Sequence, residues 1–229
     1  MSVDTKKLSF LRKTKRQLVY WKRDLSNIIR YGIDAPRHLE LIYVNPRECT
    51  RFVQWEVGSK LGLHHSGRVV NDVDWDSITR NVAESGNIIK LKAHWIDGVP
   101  WEELSNYQYM LRVAPQRPNG AEGCFTREDV VARYRRLDEM FEEAKRTGRL
   151  KTRGEIDPTA LREEGGVLMN IGPGGELIFG EAGVHRFTVA WILRIPLPCV
   201  IGAVDRCALD HYPKFREMPS MERGTVLVN

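Results

Sequence analysis

Apolar positions recur along this chain with two different spacings, and the longer spacing marks its helices. A repeat of three to four residues predicts an amphipathic helix over residues 6–31, where basic residues fill the gaps between apolar positions. The same repeat predicts helices over residues 79–96 and 128–147. Thr126 is a candidate N-cap of the last of these helices, and Gly148 is typical of a residue that ends one.

Short apolar runs bounded by turn residues predict the strands. Two of them lie at residues 39–44 and 199–201, and a hairpin is predicted from 165–171 to 176–179 across a glycine-rich turn. Residues 51–57 fit a strand or a helix equally well. Together these elements predict a fold of the α+β class.

Residues 176–200 follow the order strand, glycine turn, basic pair, helix and strand. The turn runs from Gly180 to Gly183, the basic pair is His185–Arg186, and a helical apolar pattern follows at once. Such a turn directs backbone N–H groups and the positive end of a helix dipole to one point. With two basic side chains there, the pattern predicts an anion site, with phosphate as the anion. The alternative is a structural turn whose basic residues cap the helix or pair with acids.

The same stretch resembles the nucleotide loop of the ParB/sulfiredoxin-like superfamily. There a strand leads into a loop of the form G-x-H-R or G-E-R-R, a helix follows, and Ile-Pro opens the next strand. The matching residues here are Gly183, Val184, His185, Arg186, Ile195-Pro196 and Leu197-Pro198. A weaker likeness extends over residues 69–212. Within it the helix at 133–150, the Asp-Trp-Asp triplet at 74–76 and the stretch 95–107 resemble an uncharacterised ParB-like subgroup.

This resemblance implies an α+β domain with a small mixed sheet that binds a nucleoside triphosphate. The nucleotide would be held by the turn and the start of the helix, namely by Gly180, Glu181, Gly183, Val184, His185 and Arg186. Phosphoryl transfer and nucleotide hydrolysis both occur in the superfamily. The resemblance therefore implies a Mg²⁺-dependent kinase-like or triphosphatase activity on an unknown acceptor. The alternative is a non-enzymatic ParB-like module that binds nucleic acid or senses a nucleotide.

Aspartates alternate at residues 72, 74 and 76. In an extended segment they would share one side, with Trp75 directed into the core. Carboxylates placed so closely repel one another unless a cation lies there or they cap a helix. One hypothesis assigns Asp74, Asp76 and Glu181 to Mg²⁺, and proton transfer to Asp74, Asp76 and His185. The alternative is a helix N-cap at Asp76 or Ser77 with no catalytic role.

Two activities of the superfamily fit this sequence poorly. Val184 stands where sulfiredoxins have their nucleophilic cysteine, and valine cannot attack sulfur, so a sulfinic-acid reductase is excluded. Partition proteins have a glutamate at the position of Val184 and an arginine at that of His185. About thirty residues follow Leu197, too few for a helix-turn-helix domain, so the sequence does not favour DNA partitioning.

Charge separates the first residues from the rest of the chain. The net charge of the 229 residues is +5, but residues 1–23 hold eight basic residues and one acid, which gives +7 there and −2 elsewhere. We therefore expect a basic helical arm at 1–33, an α+β domain at 34–212 and a tail at 213–229. The arm can bind an anionic membrane surface, follow a nucleic-acid backbone or dock on its own domain.

Composition limits the class of protein. Hydrophobic residues make up 42% of the chain, enough for a packed core. No apolar run approaches the length of a bilayer span, and no secretory signal pattern is present. The four cysteines are scattered and form no C-x-x-C pair, which argues against a zinc ribbon. We expect a cytoplasmic protein, with peripheral membrane association through the arm as an option.

Overall fold

A mixed sheet of seven strands forms the centre of the protein. The computed structural model describes residues 3–54 and 61–220, and the counts below refer to that part of the chain. The strands are β1 (Leu41–Val44), β2 (Arg51–Val53), β3 (Val69–Val70), β4 (Thr79–Asn81), β5 (Val167–Ile171), β6 (Leu177–Phe179) and β7 (Leu197–Asp205). Their order is β1-β7-β5-β6-β2-β4, and β3 pairs with the end of β7. The α+β class is confirmed.

Seven α-helices accompany the sheet. They are α1 (Val3–Tyr31), α2 (Trp75–Ile78), α3 (Gly86–Trp95), α4 (Ser105–Val113), α5 (Arg127–Thr147), α6 (Arg153–Ile156) and α7 (Val184–Leu193). Thr126 caps α5 in a capping box with Asp129, and Gly148 ends it in the left-handed region at a φ of 70°, as predicted. Of the helices that the structure describes, none is long and apolar enough to cross a bilayer.

Strand β7 is the longest strand and joins three others. It pairs antiparallel with β1 and parallel with β5 and β3. All nine of its residues are buried, which agrees with an almost continuous apolar sequence. The predicted hairpin of β5 and β6 is antiparallel, and β6 in turn pairs in parallel with β2.

Different elements cover the two faces of the sheet. On one face α7 packs through Phe187, whose ring stacks on that of Phe179 with centroids 4.4 Å apart. On the opposite face Trp75 packs against Ile178, and Tyr20 of α1 lies in a neighbouring apolar cluster. The helix that follows the glycine turn is therefore separated from the Asp-Trp-Asp segment by the sheet itself.

A buried polar side chain, Asn170, sits at the middle of the sheet. Its Oδ1 accepts a hydrogen bond from the Ala203 N–H at 2.8 Å, and its Nδ2 lies 3.5 Å from the carbonyl oxygen of Ile178. The β5–β7 register shifts at this residue, so the side chain supplies an acceptor to the neighbouring strand. Gly202 leaves the room for it, because a Cβ there would lie 2.2 Å from Oδ1.

Helices α3, α4 and α5 enclose a second apolar cluster beside the sheet. The carboxylate of Asp138 on α5 organises its edge. It accepts hydrogen bonds from the indole N–H groups of Trp95 at 3.1 Å and Trp101 at 2.8 Å. His94 Nε2 lies 3.0 Å from the same carboxylate, and the imidazole stacks on Trp101 with centroids 3.6 Å apart. One acid thus fixes three rings from two different segments.

The single helix predicted over residues 79–96 is wrong. Residues 79–81 form the edge strand β4, residues 82–84 form a 3₁₀ turn, and the α-helix begins only at Gly86. Strand β4 exists because it pairs antiparallel with β2, and Asn81 then caps the turn through the Ala83 N–H. Residues 51–53 of the ambiguous segment are strand, while residues 55–57 lie outside the described part.

The packed part of the chain extends past residue 212. A 3₁₀ helix at Tyr212–Arg216 buries Tyr212 and Phe215. Arg216 donates to Glu40 Oε1 at 2.7 Å and to the carbonyl oxygen of Ala35 at 3.2 Å. The predicted tail at 213–229 therefore begins with residues that anchor the start of the sheet, and residues 221–229 lie outside the described part.

We expect Asn170→Ala to lower the free energy of unfolding by about 2 kcal/mol, because the Ala203 N–H would be left buried without an acceptor. Urea denaturation of parent and variant measures this. Asn106→Ala is a matched control, since the buried Oδ1 of Asn106 has no hydrogen-bond partner among the described residues. If both variants lose the same free energy of unfolding, the hydrogen bond between Asn170 and Ala203 does not stabilise the fold more than an unpaired asparagine does.

Candidate functional site

The glycine turn between β6 and α7 is held by strand β5. The Gly180 N–H donates to the carbonyl oxygen of Leu168 at 2.9 Å, and the Leu168 N–H donates to that of Ala182 at 3.2 Å. Glu181 and Gly183 both adopt left-handed backbone conformations, with φ values of 60° and 80°. The predicted strand, turn and helix are thus confirmed as local structure.

Both glycines of the turn are explained by packing against β5. A Cβ on Gly180 would lie 2.7 Å from Leu168 Cδ2, and one on Gly183 would lie 2.9 Å from Val167 Cγ2. Gly183 also needs its positive φ to start the helix. The space beside Gly183 is therefore filled by Val167, which supports the structural explanation of these glycines.

Arg186, on the first turn of α7, is mostly buried. One Nη2 hydrogen bond goes to the carbonyl oxygen of Lys151, while its buried Nε has no hydrogen-bond partner among the described residues. Burial lowers the pKa of the guanidinium, and the nearby Glu163 carboxylate acts in the opposite direction. Glu163 is itself buried, which raises its pKa. Arg186 is thus a partly buried cation whose Nε is buried and has no partner among the described residues.

Arg186 lines a cavity of about 490 Å³ between α7, α5 and the 149–156 segment. Two other cations, Arg149 and Lys151, share this cavity with Glu143 and Glu155. Lys151 Nζ lies 2.8 Å from Glu143 Oε1, and Arg149 forms a salt bridge with Glu155. Because each carboxylate already has its own cation, the charge left over in the lining is that of Arg186.

His185 is not among the residues that line this cavity, so the cavity brings together only one member of the predicted His185–Arg186 pair. Consecutive residues of a helix point about 100° apart. His185 lies near Arg133 of α5 and makes no hydrogen bond within the described chain. Burial, with a smaller contribution from Arg133, lowers the pKa of His185 to about 4. The imidazole is therefore neutral at pH 7 and adds no positive charge.

Asp74 and Asp76 belong to a capped helical turn instead of an extended segment. Asp74 is the N-cap of α2, and its Oδ1 accepts from the Ser77 N–H at 3.2 Å. Asp76 is almost fully exposed and pairs with Arg51 at 2.5 Å. Trp75 is buried as predicted, and its indole N–H donates to Asp205 at 3.0 Å. The aspartates thus lie on the side of the sheet away from α7.

The three carboxylates assigned to Mg²⁺ have separate surroundings. Glu181 lies in the turn after β6, half-buried, and burial raises its pKa. Asp74 and Asp76 lie around α2 across the sheet. Within residues 3–54 and 61–220, no group of three or more histidine, cysteine, aspartate or glutamate side chains is placed to hold a metal ion.

The residues that face Arg186 come from a stretch with little hydrophobic periodicity. Sequence reasoning therefore assigned no role to Arg149, Lys151 or Glu155. One local signal was present: Thr152 and Glu155 form a capping box at α6, and this T-x-x-E pattern is visible in the sequence. It marks a fixed turn but does not show that the turn lies over α7.

Comparison with protein-family models, with curated proteins and with solved structures found no match to this chain.

The lowered pKa of His185 predicts a loss of stability in acid. Between pH 6.5, the ordinary value, and about pH 4, the unfolded chain takes up a proton at this residue that the folded protein does not. The free energy of unfolding should thus fall as the pH drops through this window. His185→Gln should remove about 2 kcal/mol of the fall, a figure discounted for partial exposure.

Urea denaturation at several pH values between about 7 and about 4 measures the free energy of unfolding and tests this expectation. His38 and His65, whose pKa values are also lowered by burial, contribute to the same fall, so the relevant quantity is the difference between parent and variant. His211→Gln changes an exposed histidine and serves as the control. Parallel curves for parent and His185→Gln would contradict the buried neutral imidazole.

Asp74→Ala should lower the free energy of unfolding by about 1 kcal/mol, because the first turn of α2 loses its cap. Asp72→Ala is the control, since Asp72 makes no hydrogen bond or ion pair within the described chain. Thermal melting with and without MgCl₂ provides the measurement. A MgCl₂ stabilisation that disappears in Asp74→Ala but not in Asp72→Ala would support Asp74 as a metal ligand.

Proposed function

We propose that this protein binds a nucleotide through its phosphate groups in the cavity beside Arg186. One observation carries the proposal: a partly buried guanidinium lines an open cavity, and its Nε has no partner among the described residues. Buried polar groups are normally satisfied, and an arginine fork matches two phosphate oxygens at once. An anion in the cavity would compensate the charge of the guanidinium.

The size and the lining of the cavity agree with a small phosphorylated ligand. A volume of about 490 Å³ falls within the range of ligand pockets in proteins. Met140, Leu150 and Ile156 supply apolar surface against which a base or sugar can pack, while Arg149 and Lys151 lie among the same walls. The cavity therefore offers a cationic position and an apolar position in one place.

The sequence resemblance adds the class of ligand. The segment at 176–200 resembles the nucleotide loop of ParB/sulfiredoxin-like proteins, and we propose that the α+β domain belongs to that superfamily. The enzymatic form of the proposal is Mg²⁺-dependent phosphoryl transfer or hydrolysis on an acceptor still to be found. Within the described residues no group of three or more candidate ligands is present, so a Mg²⁺ ion would be held chiefly by the phosphates of the nucleotide, and we assign no step to the metal.

A non-enzymatic nucleotide sensor is the second form of the proposal. It is favoured by the ion pairs of Glu143 with Lys151 and of Glu155 with Arg149. A carboxylate that is paired with a cation is less basic and less free to bind a metal or take a proton. Consistent with this, the pKa values of Glu143 and Glu155 are lowered by their hydrogen-bonded partners.

Arg186→Met should weaken nucleotide binding roughly thirtyfold, because a charge-assisted contact worth about 2 kcal/mol is lost while the aliphatic volume is kept. Isothermal titration with nucleoside mono-, di- and triphosphates, with and without MgCl₂, measures the affinity. Arg194→Ala, an exposed arginine at the far end of α7, is the control and should bind as the parent does.

Two results would count against the proposed function. One is a parent protein that binds none of these nucleotides. The other is an Arg186→Met variant that stays folded and keeps the affinity of the parent. Release of inorganic phosphate by the parent then separates the two forms: phosphate release that Arg186→Met abolishes supports the enzyme, and tight binding without release supports the sensor.

A further inference from the structure

Helix α1 lies on the protein through its polar side. Asp24 accepts from Arg162 at 2.6 Å and from the His38 N–H at 2.8 Å, and Arg16 forms a salt bridge with Glu164. Asn27 donates to the carbonyl oxygens of Pro36 and Gly67 at 2.6 and 2.7 Å. Tyr20 is the buried aromatic of this contact. Residues 16, 20, 24 and 27 are spaced by three and four and thus form one stripe of the helix.

The apolar stripe of α1 points in the opposite direction. Leu18, Trp21, Leu25 and Ile29 also follow one another at intervals of three and four residues, and they are 55%, 69%, 58% and 75% exposed. At about 100° per residue, their mean direction is roughly opposite to that of the docked stripe. Docking on the protein's own domain, one of the three options from the sequence, therefore accounts for the polar side of α1 but leaves the apolar side uncovered.

Cations lie beside this apolar stripe. Lys15 and Lys22 are exposed, make no salt bridge within the described chain, and project about 40° to 60° from Leu18 on the helix. The sequence adds further basic residues before them, which bring residues 1–23 to +7. The surface of α1 that faces away from the sheet thus combines a tryptophan, branched aliphatic side chains and unpaired lysines.

A cavity of about 220 Å³ lies where the docked side of α1 meets the domain, and its lining is also positive. Its charged lining residues are Arg23 and Arg68, and it contains the imidazoles of His38, His64 and His65 but no carboxylate. Arg23 donates to the carbonyl oxygen of His64 at 2.7 Å, which fixes one cation at the mouth. On the helix, Arg23 projects about 80° from Lys15 and about 100° from Lys22, toward the docked stripe.

We propose that α1 seats this protein on an anionic lipid bilayer, with the stripe of Leu18, Trp21, Leu25 and Ile29 inserted between lipids and the cationic flank facing the phosphate layer. A helix binds at the surface of a bilayer when its apolar side chains insert between lipids and its cations are attracted to anionic headgroups. A nucleic acid would use the cations and leave the stripe in water. A second copy of this chain would cover the stripe but bring two strongly positive arms together.

Flotation with phosphatidylcholine vesicles, with and without phosphatidylglycerol, tests the proposal on the full chain. We expect binding to the anionic vesicles, weakened by salt. Leu25→Glu should bind roughly tenfold more weakly, because an inserted aliphatic group becomes a charge, and replacing Lys15 or Lys22 by alanine should cost roughly fivefold each. Ile89→Glu alters a comparably exposed aliphatic residue on α3 and should bind as the parent does.

The depth to which Trp21 enters the bilayer is measured by quenching of tryptophan fluorescence with brominated lipids. The chain has six tryptophans, of which Trp75 and Trp101 are buried and Trp95 and Trp191 are half-buried. The quenching that belongs to Trp21 is therefore the difference between the parent and Trp21→Phe. Trp21→Phe should lose most of the lipid-dependent quenching while keeping most of the vesicle binding, since phenylalanine also inserts. Full quenching in Trp21→Phe would contradict insertion of this stripe.

Other binding partners of α1 would give different outcomes in these experiments. Absence of vesicle binding by the parent, or equal binding by Leu25→Glu and the parent, overturns the proposal. A dimer in sedimentation equilibrium that Leu25→Glu dissociates, without vesicle binding, would assign the stripe to a second copy. DNA binding that Leu25→Glu leaves intact, again without vesicle binding, would assign the cations to nucleic acid.

Discussion

The hydrogen bond from Ala203 to the side chain of Asn170 is the contact on which the arrangement of the sheet depends. It joins β5 to β7 at the point where their backbone register shifts, and the same side chain approaches β6. A polar group this deeply buried is tolerated because it is satisfied, and it discriminates strongly against other registers. Since side chains alternate between faces, this register also decides which residues of β5 face α7 and which face α1.

The candidate site follows from that alternation. Val167 and Leu168 are consecutive residues of β5 and project to opposite faces, where one contacts Gly183 and the other contacts Gly180. The turn between β6 and α7 thus packs against the first two residues of β5, and this contact sets the direction in which α7 leaves the sheet. Arg186 consequently lies beneath the 149–156 segment, while His185 faces α5. Helix geometry thus separates the two residues of the basic pair: Arg186 is a partly buried cation, and His185 is a neutral imidazole.

Local signals in the sequence were enough for the elements that depend on local interactions. The capping box at Thr126, the left-handed Gly148 and the β5–β6 hairpin all involve residues close in sequence, and all are confirmed. Strand β4 could not be predicted, because three residues become a strand only when β2 provides the partner. The cavity at Arg186 could not be predicted either, since Lys151 and Arg186 are 35 residues apart in the chain. For α1 the sequence predicted an amphipathic helix, but only the docked partners Arg162 and Pro36 show which side is exposed.

The position of β7 has a consequence for how the protein is made. This strand lies between β1 and β5 and also pairs with β3, yet it is the last of the described strands in sequence order. During synthesis from the N-terminus, β1 and β3 have no partner strand until residues 197–205 leave the ribosome. The pairing of Leu41 with Val200 closes a loop of most of the chain, a non-local contact of the kind that slows folding. Until then β1 lacks its native neighbour in the sheet, and we expect the incomplete chain to expose apolar side chains that favour aggregation.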